Sequence, residues 1–138
     1  MGIWKKLFGD SDDTVDYYVE GVELMNAGKY HEALTSFKLA LRDTPSDTTV
    51  LQQMAVTYTR IGMTDEAAKT YRAVLARDEY ASGAHYGLAF LLLHRGRRDE
   101  AASHLRSFLA APPNGQEAER HVEHARRTLD EIQPEPSE

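Results

Sequence analysis

Three stretches decide the fold of this chain: NAGKYHEALTSFKLAL at 26–41, RIGMTDEAAKTYRAVL at 60–75 and HRGRRDEAASHLRSFL at 94–109. In each one the third residue is glycine, the seventh and eighth are a Glu-Ala pair, and the last is leucine. The spacing from the first stretch to the second equals the spacing from the second to the third. A constant period of about 34 residues is typical of helical repeat architectures, in which one structural unit is stacked on the next. The sequence therefore predicts three tandem copies of one unit.

The repeated unit has the pattern of two helices joined by a short turn. Apolar residues recur at helical spacing on both sides of the central glycine, as Leu34 and Phe37 do in the first copy. Gly28, Gly62 and Gly96 are predicted to end the first helix of each pair in a left-handed backbone conformation, which glycine adopts at little steric cost. Each copy is therefore expected to be a helix-turn-helix hairpin.

Two columns of the repeat carry a recognisable pattern of side-chain size. One column is bulky and the other is small: Tyr17, Leu51 and His85, then Gly21, Ala55 and Ala89. In its period and columns the chain resembles the tetratricopeptide-repeat family. The resemblance implies an all-α fold, a right-handed α-solenoid of three helix-turn-helix repeats, and a function in protein binding. Phe108 departs from the family pattern because it stands in a column that is usually alanine.

The chain divides into three parts on this interpretation. The predicted parts are an N-terminal amphipathic segment at 1–13, a repeat domain at 14–132 and a disordered polar tail at 133–138. Within the domain we place repeats at 14–47, 48–81 and 82–115 and a capping helix at 116–132. A solenoid needs such a helix because its last repeat would otherwise expose an apolar face.

Composition excludes several classes of function. The 22 acidic residues exceed the 16 lysines and arginines, giving a net charge of −6 that argues against nucleic acid binding. With no cysteine, the chain has no thiolate nucleophile and no Cys-based metal site. A phosphate-binding loop and a membrane-spanning apolar run are also absent from the sequence. We therefore expect a cytoplasmic protein that is not an enzyme and holds no cofactor.

The six histidines are the remaining candidates for chemistry. His121 and His124 stand three residues apart on the predicted capping helix, and we interpret them as polar residues on its outer face. A metal site is not expected, because a secure site needs three or four converging ligands. His85 and His94 are predicted to be packing or surface residues, and His31 and His104 have no Ser or Asp partner at a spacing diagnostic of catalysis.

In the resembled family, the first helix of each repeat lines a concave surface. Carried onto this chain, that rule predicts a peptide-binding groove with ten contact residues: Val15, Tyr18, Val22, Met25, Gln52, Val56, Thr59, Tyr86, Phe90 and Leu93. Arg60 and His94 are expected to lie beside them, and Gly83 and Gly87 to let a ligand approach the backbone closely. The lining is mainly apolar, so the expected partner is an apolar or amphipathic peptide segment of a protein of unknown identity.

The N-terminal segment leaves three alternatives open. On a helix, Ile3, Trp4, Leu7 and Phe8 share one face while two lysines lie opposite, a pattern similar to interfacial anchors. The segment either is a frayed end or cap on the first repeat, or touches a membrane surface weakly, or occupies the apolar groove of its own or a neighbouring chain. The second and third alternatives define a different function, a membrane-peripheral or self-associating scaffold.

Overall fold

The computed structural model describes residues 15–133. The N-terminal candidates Ile3, Trp4, Leu7 and Phe8 lie outside these residues, as do residues 134–138 of the tail, so their roles stay predictions. The described residues contain seven helices and no strand, which confirms the all-α prediction. The helices are α1 (Tyr17–Asn26), α2 (Tyr30–Ala40), α3 (Thr48–Arg60), α4 (Thr64–Arg77), α5 (Ser82–His94), α6 (Arg98–Ala110) and α7 (Gln116–Ile132). They belong to two compact units that meet in sequence at Pro45 and Ser46.

The first unit contains the hairpin of α1 and α2. Its first helix begins where the side chain of Asp16 accepts a hydrogen bond from the amide of Val19 at 3.1 Å. Phe37 on α2 is fully buried, and its ring lies against Gly21 on α1. A β-carbon at Gly21 would come within 2.5 Å of the ring. The absence of a side chain at this position therefore leaves the space that Phe37 fills.

The predicted turns are confirmed in their backbone geometry. The φ angles of Gly28, Gly62 and Gly96 are 80°, 82° and 78°, which is the left-handed region. After each glycine, the next amide donates to the carbonyl five residues earlier at 2.8–2.9 Å. This bond is the outer one of a Schellman motif, and it satisfies a carbonyl at the helix end.

The second unit contains α3 to α7. Helix α3 pairs with α4 and α5 with α6, while α4 packs on α5 and α6 on α7. Its core includes Leu88, Leu92, Leu105 and Phe108, each at most 2% exposed.

Helix α7 covers the end of this core. Ala125 on α7 is buried in one cluster with Ala89, Leu105 and Phe108. Partly buried residues pack around that cluster: Tyr86, Phe90, Leu109, Val122, Leu129 and Ile132. The opposite face of α7 is exposed and charged. Phe108 fills the space beneath α7, which gives its departure from the family pattern a structural reason.

Candidate functional site

The second unit carries an open groove of about 620 Å³, which we call the α3–α5–α7 groove. Its volume lies within the range that is usual for ligand sites. Side chains from these three helices line it, together with two from α4: Val56, Thr59, Arg60, Thr64, Tyr71, Gly83, Tyr86, Gly87, Phe90, Leu91, His94, His121 and His124. Along α5 the lining extends from Gly83 to His94, about 16 Å at the rise of an α-helix.

The floor of the groove is apolar and partly open to solvent. Val56 on α3 and Tyr86 and Phe90 on α5 are all half-buried. The rings of Tyr86 and Phe90 lie 4.8 Å apart, and Tyr86 also packs at 5.0 Å on the buried ring of Phe108. The floor is therefore anchored in the core, which holds its aromatic rings in place.

Two histidines of α7 form one wall of this groove. The ring of His124 stacks on Phe90 at 4.6 Å with an interplanar angle of 7°. Its Nδ1 lies 2.8 Å from the hydroxyl of Tyr86, and His121 meets the Tyr86 ring at 4.9 Å edge to face. The prediction that these histidines lie on the outer face of the capping helix is therefore wrong.

The helical period explains why His121 lies in the wall of the groove. His121 stands three residues after Ala118 and four before Ala125, both of which are buried. Residues at these spacings are neighbours on a helix surface, so His121 borders the apolar stripe instead of opposing it. That spacing is visible in the sequence, so the position of His121 beside the apolar stripe could have been predicted from it.

Tyr71 shapes the groove from α4. Its ring lies over Gly87, where a β-carbon would come within 2.4 Å of Cζ. Burial raises the pKa of the Tyr71 hydroxyl, while a hydrogen bond with the Thr59 side chain acts in the opposite direction. Gly87 therefore makes room for Tyr71, and the expectation that it also admits a ligand to the backbone stays a prediction. Burial likewise raises the pKa of Tyr86.

Four of the ten predicted contact residues line the groove: Val56, Thr59, Tyr86 and Phe90. Two others of the second unit do not. Gln52 lies against Gly83, its Oε1 within 3.0 Å of where a β-carbon would be, and Leu93 is half-buried elsewhere on α5.

The remaining four predicted residues belong to the first unit. Val15 is 50% exposed, while Tyr18, Val22 and Met25 are half-buried. The ring of Tyr18 packs on Phe37 with a centroid distance of 6.2 Å. Their part in ligand binding stays a prediction.

A second histidine pair lies outside the groove, between α5 and α6. The Nδ1 atoms of His85 and His104 are 2.9 Å apart, and Nε2 of His85 is 2.7 Å from the carbonyl oxygen of Glu79. Because that carbonyl only accepts, Nε2 of His85 donates to it, and Nδ1 of neutral His85 accepts from His104. Burial, His85 and Arg72 lower the pKa of His104, while Glu100 acts in the opposite direction.

This pair predicts a pH dependence of stability. Unfolded His104 takes up a proton near its usual pKa of about 6.5, but folded His104 does so only at lower pH. Stability contributed by the neutral pair is present above that usual value and is lost as the pH falls towards the folded pKa. We expect His104→Asn, whose amide can still donate to His85, to flatten this fall in urea unfolding between about pH 7 and 5. An equal flattening in His31→Asn, where the histidine is exposed, would contradict the assignment.

Residues 15–133 contain no group of three or more His, Asp or Glu side chains placed to hold a metal ion. None of the described helices combines the length and apolarity needed to cross a bilayer.

Known proteins with tetratricopeptide repeats are similar to this chain in sequence. The family model described as tetratricopeptide repeat matches residues 54–115. A TPR repeat-containing protein of Methanocaldococcus jannaschii is 37% identical over 59 residues, which are 43% of this chain and 10% of that protein. The photosystem I assembly protein Ycf3 of Prochlorococcus marinus is 32% identical over 89 residues, or 62% of this chain. The chain thus spans a tenth of the first relative and about half (51%) of the second.

A solved structure shares the fold. The type III secretion chaperone SycD of Yersinia enterocolitica, in complex with a peptide of the translocator YopD, superposes with a TM-score of 0.79 at 21% identity. The match covers 91% of this chain and 95% of the SycD chain. Residues 54–115 therefore match the tetratricopeptide-repeat family, and the same period and glycine turn recur in the first hairpin.

Proposed function

We propose that this chain is a non-catalytic interaction module that binds an apolar or amphipathic peptide segment in the α3–α5–α7 groove. The observation that carries the proposal is the floor of Val56, Tyr86 and Phe90, which is apolar and partly open to solvent. Concave apolar surfaces with fixed aromatic rings are typical sites for the anchor residues of a partner. Tyr86 and Phe90 are held by the core, so little ordering entropy is lost when a partner binds them.

The dimensions of the groove suit a peptide. Its lining along α5 measures about 16 Å, which corresponds to about five residues of extended chain or three turns of helix. The presence of a YopD peptide in the SycD structure supports the proposal, because it shows a similar fold in complex with a peptide.

The histidines of the groove support binding more than catalysis. His124 is stacked on Phe90 and lies within hydrogen-bond distance of Tyr86, so its ring is already part of the wall. We therefore expect no enzymatic activity and no cofactor. The cytoplasmic location expected from the sequence stays a prediction.

A single substitution in the floor tests the proposal. We expect Phe90→Ala to weaken binding of a fluorescein-labelled amphipathic helix of about 18 residues, with Leu and Phe on one face, by about 30-fold. The reason is the loss of a central aromatic anchor. Fluorescence anisotropy measures the dissociation constant, and far-UV circular dichroism checks that the variant is folded.

Leu93→Ala is the matched control. Leu93 is a half-buried apolar residue of the same helix that lies outside the groove, so its substitution should change affinity by less than about twofold. Equal losses in the two variants, or unchanged binding in folded Phe90→Ala, would contradict the proposed site. A Tyr18→Ala variant then tests whether α1 takes part.

A further inference from the structure

The charge of the groove differs from that of the whole chain. The chain carries a net charge of −6, but the thirteen residues that line the groove include no aspartate and no glutamate. They include Arg60 on α3 and His94 on α5, and the two histidines of α7. An acidic protein thus presents an apolar groove with a border of basic side chains.

Arg60 is the only lysine or arginine among the lining residues. It is exposed at the end of α3, and no residue between 15 and 133 forms a salt bridge with it. His94 occupies the equivalent position in the next repeat, at the end of α5, and is also exposed. These two side chains therefore mark the same end of the groove.

The acidic residue next to the lining in sequence is already engaged. Asp65 directly follows Thr64, a lining residue, but its carboxylate is bound by the guanidinium of Arg95. The C-terminal ends of α3 and α5 contribute about half a negative charge each, and Arg60 in the last turn of α3 carries a full positive charge. No acidic side chain within residues 15–133 thus pairs with the guanidinium of Arg60, which leaves it for a carboxylate of a partner.

We infer that the preferred occupant of the groove is an acidic amphipathic segment, in which aspartate or glutamate side chains border the apolar face. This inference rests on the proposed function and specifies its partner. The apolar face of the segment covers Val56 and Phe90, and a carboxylate beside it pairs with Arg60. A guanidinium and a carboxylate form two parallel hydrogen bonds, which adds orientation to the apolar contact.

Two labelled peptides of about 18 residues test the inference against the full chain. They share one Leu/Phe face and differ only in whether glutamate or lysine borders it. At low ionic strength we expect the glutamate peptide to bind at least about fivefold more tightly, the effect of about 1 kcal/mol. The net charge of −6 would attract the lysine peptide and repel the glutamate peptide. Tighter binding of the glutamate peptide therefore cannot be explained by the net charge of the chain.

The Arg60→Gln variant tests whether the preference for the glutamate peptide depends on Arg60. It should cost the glutamate peptide about fivefold in affinity and leave the lysine peptide unchanged or slightly tighter. Arg127→Gln is the matched control, because it makes the same change of charge on the exposed face of α7 outside the groove. It should change neither affinity.

The outcomes separate the inference from the proposed function. If both peptides bind equally, or the lysine peptide binds better, the acidic partner is wrong while peptide binding in the groove stands. Equal losses in Arg60→Gln and Arg127→Gln would also overturn it, because overall charge would then be responsible. If neither peptide binds the wild-type chain, both the proposed function and the inference fail.

Discussion

Replacing Phe108 with alanine is expected to lower the free energy of unfolding of the unit that begins at Ser46 by about 3–5 kcal/mol. Phe108 is 2% exposed and lies in the cluster that joins α5 and α6 to Ala125 of α7. Its removal loses buried apolar area and leaves a cavity that rigid helices fill only in part. Small domains have about 5–15 kcal/mol of stability, so the loss is a large share of the total.

The structure and the family pattern lead to different expectations for this substitution. Alanine is the usual residue in this column of the resembled family, so the pattern alone would treat the substitution as harmless. Urea unfolding followed by far-UV circular dichroism measures the loss. Phe108→Leu should lose less, and Ser107→Ala, at an exposed neighbour, should stay within about 0.5 kcal/mol of the wild type. A loss below about 1 kcal/mol in Phe108→Ala would show that α7 closes over the smaller residue.

The second large effect is expected from Gly87→Ala, which should destabilise the same unit by about 1–3 kcal/mol. The new β-carbon would lie 2.4 Å from Cζ and 2.5 Å from Oη of Tyr71. Tyr71 is 6% exposed, so its rigid ring cannot move without disturbing the core. This overpacking opposes the gain of about 1 kcal/mol that alanine normally brings inside a helix, and we expect it to prevail.

Gly83→Ala is the matched control in the same helix. A β-carbon there would meet only Oε1 of Gln52 at 3.0 Å, and that flexible amide can rotate away. The variant should therefore keep the wild-type stability or gain up to about 1 kcal/mol. Thermal unfolding of the two variants gives the comparison. A Gly87→Ala variant that is as stable as Gly83→Ala would contradict the role assigned to Tyr71.

The helices and their turns could be predicted from the sequence because their causes are local. The φ angles of Gly28, Gly62 and Gly96 depend on the residue type and on the hydrogen bonds of one turn. The apolar stripe of α7 is likewise visible at helical spacing. The glycine turns recur at a constant period, so each copy of the repeat reinforces the interpretation of the others.

The groove could be predicted only in part. Val56, Thr59, Tyr86 and Phe90 follow from the repeat register, because equivalent residues of successive first helices share one surface. Tyr71 reaches the groove from a second helix, and His121 and His124 reach it from α7, which lies outside the repeat. A rule derived from first helices alone misses all three.

The sequence by itself determined the all-α class, the repeat unit, its turns and the residue types offered to a groove. Only the tertiary structure decided that the Tyr71 ring packs over Gly87, that Phe108 packs against α7, and that histidines of α7 lie beside Phe90. The physical reason is distance along the chain. Turns and helices are decided within a few residues, whereas contacts such as Tyr86 with His124, 38 residues apart, depend on how whole helices pack.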